Sequence, residues 1–106
     1  MKLVYVSHPY TGDEKKNVKK VREYCRILKK DHPGWCLFNP LDNMKFAHGC
    51  GLSHDDYMAM DMEVLARCDI VVFCGHWKKS RGCRMEYEEA KRLGVDVMYF
   101  PETCRD

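Results

Sequence analysis

Apolar and polar residues change their spacing several times along the chain, and these changes divide it into short strands and longer helices. Residues 2–7, 35–39, 69–74 and 96–100 are short apolar stretches of the kind that form strands. The third stretch is apolar from its second residue up to Gly75, which is typical of a central strand in a parallel sheet. Strands that alternate with helices predict an α/β three-layer sandwich around a parallel sheet of four to five strands.

Amphipathic stretches between the strands predict three helices. The first follows Asp13, a residue type that caps helix N-termini, and is expected to end near residues 32–34. Its lysines lie opposite its apolar residues, so they are most simply a solvated face. The second and third helices are predicted at residues 53–68 and 82–93. Residues 41–52 contain two glycines and are expected to form a loop, either a lid or a connection.

Two acidic residues interrupt the apolar faces of the second and third helices. At about 100° per residue, Glu86 falls on the apolar arc of its helix, between Ala90 and Leu93. Asp61 lies in the same way on the apolar arc of the second helix. A buried acid is costly or stays protonated unless it has a partner. Each acid alone would be explained as a cap or an ion pair, but two beside one strand favour a functional site.

The carboxyl ends of parallel strands gather side chains at one edge of the sheet, where ligands bind in folds of this class. Ser80 and Gly82, with the N–H groups of the third helix's first turn, form a candidate anion site. The plainer explanations stay open: an ordinary serine cap, loop histidines without a ligand, and aromatic residues in the core. The candidate ligand-binding residues at this edge are Ser7, His8, Tyr10, Trp77, Ser80 and Gly82.

Length and charge narrow the classes of function. The chain has 106 residues, 45% of them hydrophobic, so residues 1–106 are expected to form a single domain. A formal charge of +2 gives no reason to expect nucleic acid or an anionic membrane as a partner. No apolar run approaches membrane-spanning length, and Met1 leads straight into a strand. We therefore expect neither a membrane span nor a signal peptide, and a cytoplasmic location.

The seven cysteines do not indicate a metal or cofactor site. None of them forms the C-x-x-C pair that is common in zinc and iron–sulfur proteins. His48, Cys50 and His54 lie close in sequence but lack a recognised ligand spacing. We expect reduced thiols, no metal and no cofactor.

Three segments taken together resemble the nucleoside 2-deoxyribosyltransferase superfamily. They are Tyr5 near the start, residues 61–72 with the sequence DMEVLARCDIVV, and the pattern Ser80-x-Gly82-x-x-x-Glu86-Tyr87-x-x-Ala90. Among active relatives the chain is most similar to deoxynucleoside 5'-monophosphate N-glycosidases. Its Trp77-x-x-Ser80-x-Gly82 form also resembles an uncharacterised, often phage-associated branch of the DUF4406 type. The resemblance covers nearly the whole chain and implies a small Rossmann- or flavodoxin-like fold.

The resemblance implies roles for both buried acids. The acid matching Glu86 is the nucleophile, which attacks the anomeric carbon of a 2-deoxyribose, displaces the base and forms a covalent deoxyribosyl-enzyme. The acid matching Asp61 contacts the sugar or helps to protonate the departing base. Tyr5, at the position of the family's first-strand tyrosine, would orient Glu86.

Position 80 bears on the substrate. Transferases that act on free nucleosides tend to have an acid there, whereas the monophosphate hydrolases have Ser-x-Gly, which suits a phosphate. Ser80 and Gly82 therefore favour a nucleotide 5'-phosphate. The hydrolases' first loop carries an arginine that this chain lacks, so Lys15 or Lys79 would replace it.

Longer relatives continue beyond the position of Asp106, and we expect a homodimer or higher homo-oligomer.

Three classes of function remain open at this stage. The leading hypothesis is an N-glycosidase or deoxyribosyltransferase-like enzyme acting on a small nucleoside 5'-monophosphate through Glu86. Its main rival is a non-catalytic module of the same fold that binds a nucleotide without turning it over. The third is a protein-interaction domain without a small ligand. The sequence leaves open the base, the choice between deoxyribose and ribose, and the choice between water and a second base as acceptor.

Overall fold

A computed structural model describes residues 1–105 and has a parallel sheet at its centre. The sheet is covered by helices on both faces, which confirms the predicted three-layer α/β architecture with four strands in the described part of the chain. The strand order is β2-β1-β3-β4, and every neighbouring pair is parallel. The strands are β1 (Lys2–Ser7), β2 (Trp35–Phe38), β3 (Ile70–Cys74) and β4 (Asp96–Phe100).

The helices begin at residues whose side chains cap them. Helix α1 (Glu14–Asp31) follows Asp13, whose carboxylate accepts a hydrogen bond from the Lys16 N–H at 3.3 Å. Ser53 and Asp56 form a reciprocal capping box at the start of α3 (His54–Leu65). Ser80 caps α4 (Arg81–Leu93), which ends at Gly94 in the left-handed conformation, with φ of 72°.

Residues 41–52 are not wholly a loop, in contrast to the prediction. The chain forms a short helix α2 (Pro40–Asn43) and a 3₁₀ turn at Lys45–Ala47. The local signal was Asn39 followed by Pro40, because asparagine caps the helix and proline suits its first position. The predicted second helix was also too long, since α3 ends at Leu65 rather than at residue 68.

Alternate residues of β1 face the two helical layers. Val4 and Val6 pack with α1, whereas Leu3 and Tyr5 pack with α3 and α4. Ser7 continues the second set and is fully buried. The period of two therefore directs Tyr5 and Ser7 towards the two helices that carry the unusual acids.

The order of the strands creates a crevice at the carboxyl ends of β1 and β3. From β1 the chain passes through α1 to β2 on one side, and it then returns to β3 on the other side of β1. Connections that diverge in this way leave a crevice at the switch point, where ligands bind in open α/β sheets.

Within residues 1–105, none of the helices combines the length and apolar character needed to cross a bilayer.

Candidate active site

A cleft of about 1240 Å³ lies over the carboxyl ends of the strands. Its walls come from the loop after β1, the first turns of α1, the segment that contains α2, the start of α3, and the loop between β3 and α4. The predicted site residues that line it are His8, Tyr10, Asp61, Ser80, Gly82 and Glu86.

Glu86 lies at the buried end of this cleft. Its side chain is held by two hydroxyl groups from β1: Tyr5 donates to Oε2, and Ser7 donates to Oε1 at 3.0 Å. Both donors come from the same face of β1, two residues apart. Ser7 is fully buried, donates to Glu86 and does not line the cleft, in contrast to its predicted place among the residues at the open edge.

Asp61 approaches the same tyrosine from α3. Burial raises the pKa of Asp61, and the nearby Tyr5 hydroxyl partly opposes this rise, although its single proton is donated to Glu86. Oδ1 of Asp61 is buried and has no hydrogen-bond partner among residues 1–105. A buried carboxylate oxygen without a donor is costly, so the free site favours any ligand or proton that supplies one.

Burial controls the protonation of this pair. Burial and, to a smaller extent, the charge of Asp61 raise the pKa of Glu86 to about 8, against the hydrogen bonds from Tyr5 and Ser7. Burial also raises the pKa of Asp61 to about 6. The pKa of the Tyr5 hydroxyl lies well above its ordinary range for the same reason. Between about pH 6 and about pH 8 the two carboxyl groups therefore hold one proton between them, mostly on Glu86 in the free site.

The start of α4 forms the polar end of the cleft. Ser80 Oγ accepts a hydrogen bond from the Cys83 N–H at 3.2 Å, while Lys79 and Arg81 add positive charge at the rim. A Cβ at Gly82 would lie 3.5 Å from Met58 Sδ, so glycine keeps this end of the cleft open.

Sequence reasoning missed several basic residues of the cleft, among them His54, Lys16 and Lys20. His54 lines the cleft, and its Nε2 would lie 3.9 Å from a Cβ at Gly82, whereas its sequence neighbours point only to a metal ligand. Lys16 and Lys20 line the opposite wall, where they had been assigned to a solvated face. For Lys16 and Lys20, the one available signal was their place on the first turns of α1, beside the switch point.

His8 lines the cleft with a fixed tautomer. Its Nδ1 lies 2.8 Å from the carbonyl oxygen of Pro9, which can only accept, so Nδ1 carries the proton. Burial lowers the pKa of His8, partly opposed by the Pro9 carbonyl, and the charge of Lys20 adds to the lowering. The neutral ring presents Nε2 as an acceptor. Nε2 would lie 3.8 Å from a Cβ at Gly75, where φ is 58°.

Trp77 does not line the cleft, in contrast to its predicted place at this edge of the sheet. It belongs to a 3₁₀ turn, is only 5% exposed, and stacks on Tyr87 beside Phe73. Its Nε1 donates to the carbonyl oxygen of Cys104 at 3.0 Å. The turn directs the indole into the core between α4 and the sheet, so the aromatic residue is structural.

Within residues 1–105, no three His, Cys, Asp or Glu side chains are grouped so that they could hold a metal ion.

Comparisons with known proteins agree with the fold and leave the chemistry open. The sequence model of a family described as a domain of unknown function (DUF4406) matches residues 2–99. None of the curated proteins matches the sequence significantly. A 2-deoxyribosyltransferase from the psychrotolerant bacterium Bacillus psychrosaccharolyticus superposes with a TM-score of 0.70 at 20% identity, over 92% of this chain and 70% of that one. A 2-deoxyribosyltransferase from Leishmania mexicana gives 0.66 at 14% identity, over 93% of this chain and 63% of that one.

Proposed function

Because the chain belongs to the DUF4406 family and has the fold of 2-deoxyribosyltransferases, we propose that it cleaves the N-glycosidic bond of a nucleoside 5'-monophosphate through Glu86. The observation that carries the proposal is the pair of carboxyl groups at the end of the cleft, of which Glu86 is buried and Asp61 is half-buried. Glu86 is held by two hydroxyl groups, while Asp61 keeps one buried oxygen without a partner. Two desolvated acids that face one cleft are typical of glycoside chemistry.

The first step uses the single proton that the pair holds. The Glu86 carboxylate attacks C1' of the sugar, and the bond between C1' and the base nitrogen breaks with its electron pair going to the base. Asp61 gives the shared proton to the base, so a neutral base leaves a glycosyl ester on Glu86. The productive arrangement therefore has the proton on Asp61 and the charge on Glu86. Developing positive charge at C1' favours this arrangement.

The start of α4 suits the 5'-phosphate of the substrate. Backbone N–H groups of its first turn, the Ser80 hydroxyl and the adjacent Arg81 are all donors, and none of them repels an anion. Gly82 leaves room beside them. A phosphate there would sit on the same helix as Glu86, little more than one turn away, which matches the short reach from a nucleotide's phosphate to its C1'.

Base release is the test of this function. Wild-type protein is incubated with deoxynucleoside and ribonucleoside 5'-monophosphates and with the nucleosides, and free base is measured by chromatography. We expect release from at least one monophosphate and a loss of at least about 1000-fold in Glu86→Gln. The matched control is Glu88→Gln, an exposed glutamate of the same helix, which should retain full activity. Equal release by wild type and Glu86→Gln would refute the proposal.

A non-catalytic nucleotide-binding module is the second candidate, and one observation favours it. With its pKa raised to about 8, Glu86 is mostly protonated in the free site at neutral pH, and a protonated carboxyl group is a poor nucleophile. A binding module would show a nucleotide-dependent rise in melting temperature without base release. Absence of both effects would favour the interaction domain instead.

A further inference from the structure

The two carboxyl groups at the end of the cleft are not equivalent in their donors. Tyr5 donates its single proton to Glu86 but also lies close enough to Asp61 to affect its ionisation. Ser7 serves one member only: its hydroxyl is 3.0 Å from Oε1 of Glu86. Among residues 1–105, Oδ1 of Asp61 has no donor at all.

From this asymmetry we infer that Ser7 is a positioning residue that moves the shared proton from Glu86 towards Asp61. A donated hydrogen bond stabilises a carboxylate more than a carboxylic acid, so a donor that reaches one carboxyl group alone favours ionisation of that group. The inference rests on the proposed function, because only a nucleophilic Glu86 gains from being ionised. It gives this serine a purpose that direct contact with substrate cannot, since the side chain is fully buried beneath Glu86.

The surroundings of Glu86 leave Ser7 as the residue that can bias the pair. The groups facing Glu86 are Tyr5 and Ser7 from β1, Asp61 from α3, and Cys83 one turn earlier on α4. No charged partner of opposite sign appears among them in the described residues. Burial and the charge of Asp61 raise the pKa of Glu86, while Tyr5 and Ser7 lower it. Of the two hydroxyl groups, that of Tyr5 also affects the ionisation of Asp61, whereas that of Ser7 affects Glu86 and not Asp61.

Ser7→Ala tests the inference without substrate. The carboxyl carbons of glutamate and aspartate are labelled with carbon-13, and each is titrated by NMR, with Glu86→Gln and Asp61→Asn used to assign the two signals. We expect Ser7→Ala to move the Glu86 titration upward by about one pH unit, because a donor to a charged group has been lost. Ser7→Cys, with a weaker donor of similar size, should fall between wild type and Ser7→Ala. A Glu86 titration unchanged in Ser7→Ala would overturn the inference.

The kinetic arm separates positioning from ordinary packing. With the nucleotide that supports base release, Ser7→Ala should shift the acidic limb of the kcat profile upward by the same amount. This lowers kcat about tenfold at pH values below the limb and leaves KM within about twofold. A purely structural role would lower stability without moving the limb. If wild type releases no base, the proposed function fails while the NMR titration still decides the role of Ser7.

Discussion

Replacing the ionisable carboxyl group at position 86 by an amide should make the fold more stable, and increasingly so as the pH rises. In the folded protein the pKa of Glu86 is raised from its ordinary value of 4.5 to about 8 by burial. Between these values the folded state holds a proton that the unfolded state has released, so stability falls as the pH increases. Above about pH 8 the raised pKa of Glu86 costs about 5 kcal/mol in the free energy of unfolding, relative to low pH. At pH 7 the loss is about 3 kcal/mol.

Glu86→Gln removes this titration while keeping the shape of the side chain. Its amide oxygen accepts from Tyr5 and its amino group faces Ser7, whose hydroxyl then accepts. We expect the variant to match wild type in stability near pH 4 and to exceed it by up to about 3 kcal/mol at pH 7. A smaller slope should remain, because Asp61, whose pKa is raised to about 6, still titrates.

Urea unfolding at several pH values between 4 and 8.5, under reducing conditions, measures the effect. Glu88→Gln serves as the control, since its side chain is exposed on the same helix and it should follow wild type. A difference between Glu86→Gln and wild type that stays constant across this range would refute the argument, because the pKa of Glu86 would then be the same in the folded and the unfolded protein.

Three further substitutions test separate parts of the site. Tyr5→Phe removes the hydroxyl that Glu86 accepts from and should lower kcat for base release by about 10- to 100-fold, measured at saturating nucleotide; an unchanged kcat would contradict its role. Ser80→Asp keeps a helix-capping residue but places a carboxylate beside the 5'-phosphate, so kcat/KM for the monophosphate relative to its nucleoside should fall by at least about 100-fold. An unchanged ratio would place the phosphate elsewhere. Trp77→Phe should lower the free energy of unfolding by about 1–3 kcal/mol in urea, while leaving nucleotide affinity in calorimetry unchanged, because the indole lies in the core; a loss of affinity with normal stability would return Trp77 to the site.

The sheet and the two acids follow from patterns that a sequence displays directly. Helical periodicity alone places Glu86 and Asp61 on inward faces, and the alternation of strands and helices is sufficient for the α/β architecture. The period of two along β1 also puts Tyr5 and Ser7 on one face. The sequence pattern of β1 does not give the position of α4 relative to the strand. That position decides that Ser7 contacts Glu86 and does not line the cleft.

The errors come from short elements and from long-range placement. Trp77 stands in a 3₁₀ turn of three residues, too short to have a periodic face, so its direction into the core could not be read. Lys16 and Lys20 look like any solvated lysines, because their neighbourhood depends on the first turns of α1 lying beside the switch point. The short helix α2 was not predicted, because Gly49 and Gly51 favoured a loop for the whole segment. Asn39 and Pro40 are nevertheless typical of a helix start.

The proposed mechanism requires that Glu86 become covalently attached to the sugar of a nucleotide. The most direct test is to mix the protein with the nucleotide that supports base release, quench within the first turnover with acid, digest, and map the modified peptide by mass spectrometry. We predict an added sugar phosphate on the peptide that contains Glu86, and no addition in Glu86→Gln. Base release without any adduct, or an adduct on another residue, would contradict the claim.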